Sequence, residues 1–125
     1  MFTSKVVKGD KHGTSIGYPT ANLEVDNIAK KHLKKFGIYA VKVGIDNSEF
    51  AGALFWGKRF LFDDKDPVCE VLILDFKGDL YDKEISIDVL EYLRKVVNVE
   101  DDEEFKGLIE DDIQKTKLFF DNKKI

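Results

Sequence analysis

Val68-Cys69-Glu70-Val71-Leu72-Ile73-Leu74-Asp75-Phe76 is the most apolar run of this chain. It is bounded by Pro67 on one side and by Lys77-Gly78-Asp79 on the other, and these residue types favour turns. A short apolar run between two turn signals is typical of a strand that is buried on both faces. We therefore predict a central strand over residues 68–76.

Glu70 interrupts this apolar run with a carboxylate. Because side chains alternate along a strand, Glu70 would share its face with aliphatic residues such as Val68 and Leu72. A carboxylate in apolar surroundings has its pKa raised by desolvation, which suits a group that must accept a proton near neutral pH. The alternative is that Glu70 lies at the open end of the strand and meets solvent or a lysine.

The segment before this strand has the pattern of a β-hairpin. Alternate positions from residue 39 place one set of large side chains on one face, namely Tyr39, Val41, Val43 and Ile45. Asp46-Asn47-Ser48 supplies turn residues, and Phe50 to Trp56 returns as the second strand. This hairpin is expected to contribute one wall of the core.

Two further elements follow the central strand. Glu84 to Arg94 alternates in hydrophobicity and then changes phase at Leu90, which predicts a long strand with a bulge near Leu90, although a helix that begins there fits the residues too. Asp101, with Glu104 three residues later, resembles a helix N-cap. Apolar residues then recur at helical spacing: Phe105, Leu108, Ile109, Ile113 and Thr116.

Several antiparallel strands, long glycine-containing loops and one C-terminal helix predict a mainly β fold. The expected architecture is a small, closed or nearly closed β-barrel with the helix packed outside it. A chain of 125 residues with 43% hydrophobic content can bury one core of ordinary size. We therefore expect a single domain over residues 1–125, with no room for a second catalytic module.

Gly17-Tyr18-Pro19-Thr20-Ala21-Asn22 combines a turn with two small polar side chains. Pro19 fixes its own φ and favours an extended conformation nearby, so Thr20 and Asn22 should project to the same face, two residues apart. A hydroxyl and an amide oxygen are hard, neutral ligands for a magnesium ion that also binds phosphates. Upstream, Val6 and Val7 are predicted to lie in a first short strand, and a glycine-rich loop is predicted to follow it up to Gly17. Backbone N–H groups of such a loop can approach an anion, although it is not a Walker A loop.

Composition limits the environment and partners of the protein. The net charge of −4 disfavours non-specific nucleic-acid binding. Cys69 is the only cysteine, so no intramolecular disulfide forms, and a buried structural thiol is expected. No apolar run approaches the ~18 residues of a membrane span, and a single cysteine fits a reducing cytoplasm, so we expect a cytoplasmic protein with no membrane partner. We also expect a monomer. The lysine-rich stretch from Asn27 to Lys35 is interpreted as a solvated connection or a turn of helix.

Two motifs together resemble the riboflavin kinase (flavokinase) family, the kinase module that also occurs in bacterial FAD synthetases. The first is Val-Val-Lys-Gly-Asp-Lys-x-Gly-x-x-Ile-Gly-Tyr-Pro-Thr-Ala-Asn-Leu over residues 6–23, and the second is the run over residues 68–76. The resemblance covers nearly the whole chain. It implies a six-stranded Greek-key barrel that transfers the γ-phosphoryl group of ATP to the 5′-hydroxyl of riboflavin, giving FMN and ADP.

The resemblance also implies roles for individual residues. Glu70 matches the catalytic base of the family, while Thr20 and Asn22 match the Pro-Thr-Ala-Asn positions that bind magnesium and the nucleotide phosphates. Arg94 matches an arginine on the flavin side. Three positions of the glycine-rich loop would lie over the phosphates: Gly9, Lys11 and Gly13.

One segment departs from the family pattern. Where family members usually carry Asn-Ile/Val-Gly followed by Pro-Thr-Phe, this chain has Phe55-Trp56-Gly57-Lys58-Arg59-Phe60-Leu61-Phe62. The aromatic residues of this segment could stack on a flavin or adenine ring, or could line the barrel. The altered segment motivates one alternative, a non-catalytic flavin- or nucleotide-binding module. A nucleic-acid-binding barrel is a third hypothesis, which the aromatics favour and the negative charge opposes.

Overall fold

The computed structural model describes residues 1–7, 20–59 and 65–123, and within these residues six strands close into an antiparallel barrel. The order of the strands around the barrel is β1-β2-β5-β4-β3-β6. The elements are β1 (Phe2–Val7), β2 (Ala21–Leu23), α1 (Asn27–His32), β3 (Gly37–Ile45), β4 (Ser48–Gly57), β5 (Val68–Ile73), β6 (Glu84–Arg94) and α2 (Asp102–Lys123). The strand β2 lies beside β5, and β6 lies beside β3. The four strands β2 to β5 therefore form one Greek key, and the four strands β3 to β6 form another. The predicted six-stranded Greek-key barrel with a C-terminal helix is confirmed.

The interior of the barrel is filled by the inward-facing side chains of its strands. The predicted core face of β3 is confirmed: Tyr39, Val41, Val43 and Ile45 are all buried. Leu54 of β4, Val71 of β5 and Ile87 of β6 join them with no solvent exposure. Cys69 also lies in this core, where burial raises the pKa of its thiol, so the prediction of a buried structural cysteine is confirmed.

The strand β6 contains the predicted bulge at Leu90. Ala40 of β3 pairs with Glu91, whereas the next residue, Val41, pairs with Val89, so Leu90 has no opposite partner. A helix starting at Leu90 is therefore excluded. A second irregularity follows, because the next shift in register leaves Leu93 out of the pairing as well.

Two elements differ in detail from the sequence expectations. The strand β5 ends at Ile73 rather than residue 76, because Asp75 has a left-handed φ of 60° and turns the chain. Residues 27–32 form the short helix α1, in which the Ala29 N–H donates to Asp26 Oδ1 over 2.8 Å. Its lysines are exposed, so the lysine-rich stretch is both helical and solvated.

The helix α2 packs on the outside of the barrel, beside β3 and β4. Its predicted cap is confirmed: the Glu104 N–H donates to Asp101 Oδ1 over 2.8 Å. The predicted apolar stripe is partly or fully buried, and Thr116 has no exposed surface. This packing covers part of the outer face of β3 and β4, whose inner faces are covered by the core.

An ion pair between Arg94 and Asp112 joins the end of β6 to α2. Arg94 Nε and Nη2 donate to the two carboxylate oxygens of Asp112, each over 2.7 Å. The Arg94 side chain is 12% exposed and that of Asp112 is 6% exposed. Burial raises the pKa of the Asp112 carboxyl, and the guanidinium of Arg94 opposes that shift.

We predict opposite effects of alanine at two glycines. At Gly37, which has φ +155°, an added Cβ would lie 2.2 Å from the carbonyl oxygen of Arg94, so Gly37→Ala should lower the free energy of unfolding by about 1–3 kcal/mol or more. At the exposed Gly107 in α2, an added Cβ meets nothing within 4 Å, so Gly107→Ala should raise the free energy of unfolding by about 0.5–1 kcal/mol. Urea denaturation of both variants measures the free energy of unfolding. If the two substitutions changed it in the same direction and by the same amount, the result would contradict the packing at Gly37.

We also predict that Asp112 is a major contributor to the docking of α2. Asp112→Ala leaves the Arg94 charge buried without its carboxylate, which should cost about 3–5 kcal/mol of stability. Its exposed neighbour provides the control, since Asp111→Ala should change stability by less than about 0.5 kcal/mol. Thermal and urea denaturation of the two variants would reveal the difference, and similar small losses in both would argue against this role.

Candidate active site

Residues from separate sequence motifs meet in one transverse row of the barrel. Asn22 of β2 is directly opposite Glu70 of β5, and Glu70 is directly opposite Phe55 of β4. The row continues from Phe55 to Ile38 of β3, and from Ile38 to Arg94 of β6. Directly opposed residues in an antiparallel sheet project to the same face. Asn22, Glu70 and Arg94 therefore belong to one outward-facing row that crosses five strands.

A cleft lies between this outer face of the barrel and the C-terminal part of the chain. Its floor includes side chains of the row, and its other walls are the segment 96–99 and α2. Most of the lining side chains are apolar: Ile38, Ala53, Phe55, Leu72, Val96, Val97, Val99, Phe105, Leu108, Ile109 and Ile113. The polar lining residues are Thr20, Arg59, Glu70, Arg94 and Asp112. A mainly apolar cleft with a few convergent polar groups is the usual form of a small-molecule site.

Glu70 is buried in this cleft and forms an ion pair with Arg59. Arg59 Nη1 donates to Glu70 Oε1 over 2.5 Å, and the two side chains are only 9% and 10% exposed. The cleft around Glu70 is mainly apolar, and it also places Arg59 beside the carboxylate, a partner that neither sequence expectation included. A guanidinium at hydrogen-bond distance offsets the cost of burying the carboxylate.

Thr20 and Asn22 each carry a side-chain oxygen and lie two residues apart in the chain. Thr20 immediately precedes β2 and lines the cleft, and Asn22 lies two residues further along the same strand, next to Glu70. Within residues 1–7, 20–59 and 65–123, no group of three or more His, Cys, Asp or Glu side chains could hold a metal. Two neutral donors fit a magnesium ion whose other ligands are phosphate oxygens, rather than a metal bound by protein groups alone.

Arg94 lies at the far end of the row from Asn22. Its guanidinium is held by Asp112, as described above, and Nη1 also donates to the carbonyl oxygen of Lys95 over 2.9 Å. These contacts fix the guanidinium at the edge of the cleft beneath α2. The remaining predicted site residues, Gly9, Lys11 and Gly13, lie outside the described residues.

Sequence reasoning missed two charged residues of this cleft, Arg59 and Asp112. Arg59 follows the end of β4, and the only local signal is a basic residue two positions after Gly57. Asp112 lies four residues from both Leu108 and Thr116, so it shares the apolar face of the predicted helix with them. A carboxylate on that face was the signal that could have identified Asp112. Among the aromatic residues of the altered segment, Trp56 packs in the barrel core and Phe55 lines the cleft, while Phe60 and Phe62 lie outside the described residues.

Comparisons with known proteins agree with this architecture. A sequence model described as "Flavokinase: Riboflavin kinase" matches residues 1–120. The chain is 36% identical over 115 residues to the trifunctional protein RibF/MnmA of Mycoplasmoides gallisepticum, covering 92% of this chain and 17% of that protein. It is 34% identical over 122 residues to a bifunctional riboflavin kinase/FMN adenylyltransferase of Listeria monocytogenes, covering 95% of this chain and 38% of that protein. The chain therefore spans well under half the length of these relatives.

The fold also matches a solved structure. The riboflavin kinase of Trypanosoma brucei superposes with a TM-score of 0.66 at 22% identity, over 95% of this chain and 78% of that one. None of the helices in the described part of the chain is long and apolar enough to cross a membrane. The family match over residues 1–120 and the relatives above 30% identity agree with the two motifs from which the resemblance was drawn. The chain belongs to the riboflavin kinase family.

Proposed function

We propose that this chain is an ATP-dependent riboflavin kinase that forms FMN and ADP. The observation that carries the proposal is the transverse row, in which Glu70 lies between Asn22 and the cleft edge where Arg94 is held. One end of the row carries neutral oxygen donors suited to a metal–phosphate group, and the other adjoins an apolar cleft suited to a planar ring system. A proton acceptor between the two is what phosphoryl transfer to an alcohol requires.

Glu70 is the proposed general base of the reaction. The 5′-hydroxyl oxygen of riboflavin attacks the γ-phosphorus of ATP, and the bond from that phosphorus to the oxygen bridging to the β-phosphate breaks. The proton of the hydroxyl passes to the Glu70 carboxylate, and the electron pair of the broken bond leaves on ADP. The main contribution of the protein is to hold both substrates in line and to offset the phosphate charge.

Thr20 and Asn22 are the proposed protein ligands of a Mg²⁺ ion that enters with ATP. When bound, the ion would neutralise charge on the phosphate oxygens. Thr20 and Asn22 would orient the phosphate end of the nucleotide beside Glu70, because all three share one outward face near the end of β2. Gly9, Lys11 and Gly13, in the glycine-rich stretch that precedes Thr20 in the sequence, are proposed to contact the phosphates.

The apolar cleft is the proposed site of the flavin ring. Phe55 and Leu72 adjoin Glu70 on the barrel side, while α2 contributes residues such as Leu108 from the opposite side. These walls would exclude water from the reacting hydroxyl and bury the ring. Arg94 would contact the flavin from the cleft edge while Asp112 keeps its guanidinium in place. We further propose that the protein binds no nucleic acid, because a net charge of −4 disfavours it. We also propose, as expected from the sequence, that it is a cytoplasmic monomer.

We predict that the protein converts riboflavin to FMN when ATP and Mg²⁺ are supplied. The products are separated by chromatography and detected by flavin fluorescence, and removal of the metal with EDTA should abolish conversion. A folded protein that makes no FMN with several nucleotides and divalent metals would overturn the proposal. If that protein still quenched riboflavin fluorescence on binding, the non-catalytic flavin-binding alternative, motivated by Phe55 in the cleft, would be favoured.

We also predict that Glu70→Gln lowers the turnover number by about 100-fold or more while riboflavin binding is retained, which is the scale of a lost general base. Glu49→Gln, at an exposed position of the β3–β4 hairpin, is the matched control and should leave turnover unchanged. Turnover is measured by FMN formation and binding by fluorescence quenching. Unchanged turnover in Glu70→Gln would remove Glu70 from the mechanism.

A further inference from the structure

The end of β4 delivers a charged side chain into the cleft. Gly57, the last residue of β4, has φ +151° and pairs with Val68 at the start of β5. Beyond it Lys58 is exposed, whereas Arg59 is buried and lines the cleft. A long cationic side chain is normally left in water unless a partner compensates its burial. Its position therefore requires an interaction within the cleft.

Within the cleft, Arg59 interacts with the proposed base. Arg59 Nη1 contacts Glu70 Oε1 in a setting where both side chains are about nine-tenths buried. At that burial, an ion pair with a hydrogen bond is stronger and more directional than one in water. The pair thus restricts the rotamers of a carboxylate that projects from a strand into a cleft.

We propose that Arg59 is a positioning residue that acts through Glu70: its hydrogen-bonded ion pair holds the buried carboxylate aimed at the substrate hydroxyl. This inference rests on the proposed kinase function. General-base catalysis needs the acceptor oxygen within hydrogen-bond reach of the proton that it takes. Displacement by about 1 Å can lower a rate by about 100-fold, so a buried cation that fixes the carboxylate has a direct effect on turnover.

A double-mutant cycle on Arg59 and Glu70 tests this role, with FMN formation measured for Arg59→Met, Glu70→Gln and the double variant. We expect Arg59→Met to lower kcat by about 10- to 100-fold, with KM for riboflavin and ATP changed by less than about twofold. In the Glu70→Gln background, Arg59→Met should change kcat by less than about twofold, because its effect passes through the missing carboxylate. Arg59→Lys should regain much of the lost kcat, since it restores a cation beside Glu70.

Lys58→Met is the matched control, because it removes an exposed cation one residue away, and its kcat should equal that of the unsubstituted chain. Circular dichroism and the melting temperature establish whether each variant is folded. If Arg59→Met is unfolded, Arg59→Lys decides: a folded but inactive Arg59→Lys would count against the positioning role of Arg59. Equal losses of kcat from Arg59→Met in both backgrounds, or a loss confined to KM, would overturn it. If the unsubstituted chain makes FMN, these results overturn the role of Arg59 and leave the kinase proposal standing. If the unsubstituted chain makes no FMN, both proposals fail.

Discussion

The docking of α2 on the outer face of the barrel is the interaction on which the candidate site depends. A closed barrel satisfies its backbone hydrogen bonds and fills its interior without needing an outer layer. The cleft exists because α2 and the segment 96–99 cover part of the outer face, where Arg94 and Asp112 form a buried, two-bond ion pair. The position of the helix therefore sets the width of the cleft, while the barrel sets the positions of the side chains on its floor.

Two ion pairs in one mainly apolar cleft share a physical constraint. Each charge loses water on burial, and each is retained only because an opposite charge lies at hydrogen-bond distance. Arg94 and Asp112 join β6 to the helix, whereas Arg59 and Glu70 join the end of β4 to the neighbouring strand. The first pair lies at the seam between barrel and helix and serves mainly to hold them together. The second holds a group that must remain available to a substrate.

The parts of the fold that were predicted correctly depend on interactions that are close in sequence. The core face of β3, the cap at Asp101 and the bulge at Leu90 follow from alternation, capping and a change of phase within a few residues. The partners of Arg59 and Asp112 could not be found in this way, because alternation gives the face of a residue but not its neighbour across the fold. Glu70 illustrates this limit: its position in the strand was evident, but the guanidinium beside it comes from the end of another strand.

The adjacency of Asn22 and Glu70 shows how the topology turns separate motifs into one site. Their strands are separated in the chain by the whole β3–β4 hairpin, and they become neighbours only because the Greek-key order returns β2 beside β5. Once that pairing forms, the register fixes which residues face each other, and a shift by one residue would turn Asn22 or Glu70 into the core. The same register continues through Phe55 and Ile38 to Arg94. Strand pairing thus determines the order of the groups along the row, from the oxygen donors through the carboxylate to the edge of the apolar cleft. The helix α2 forms the second wall of that cleft.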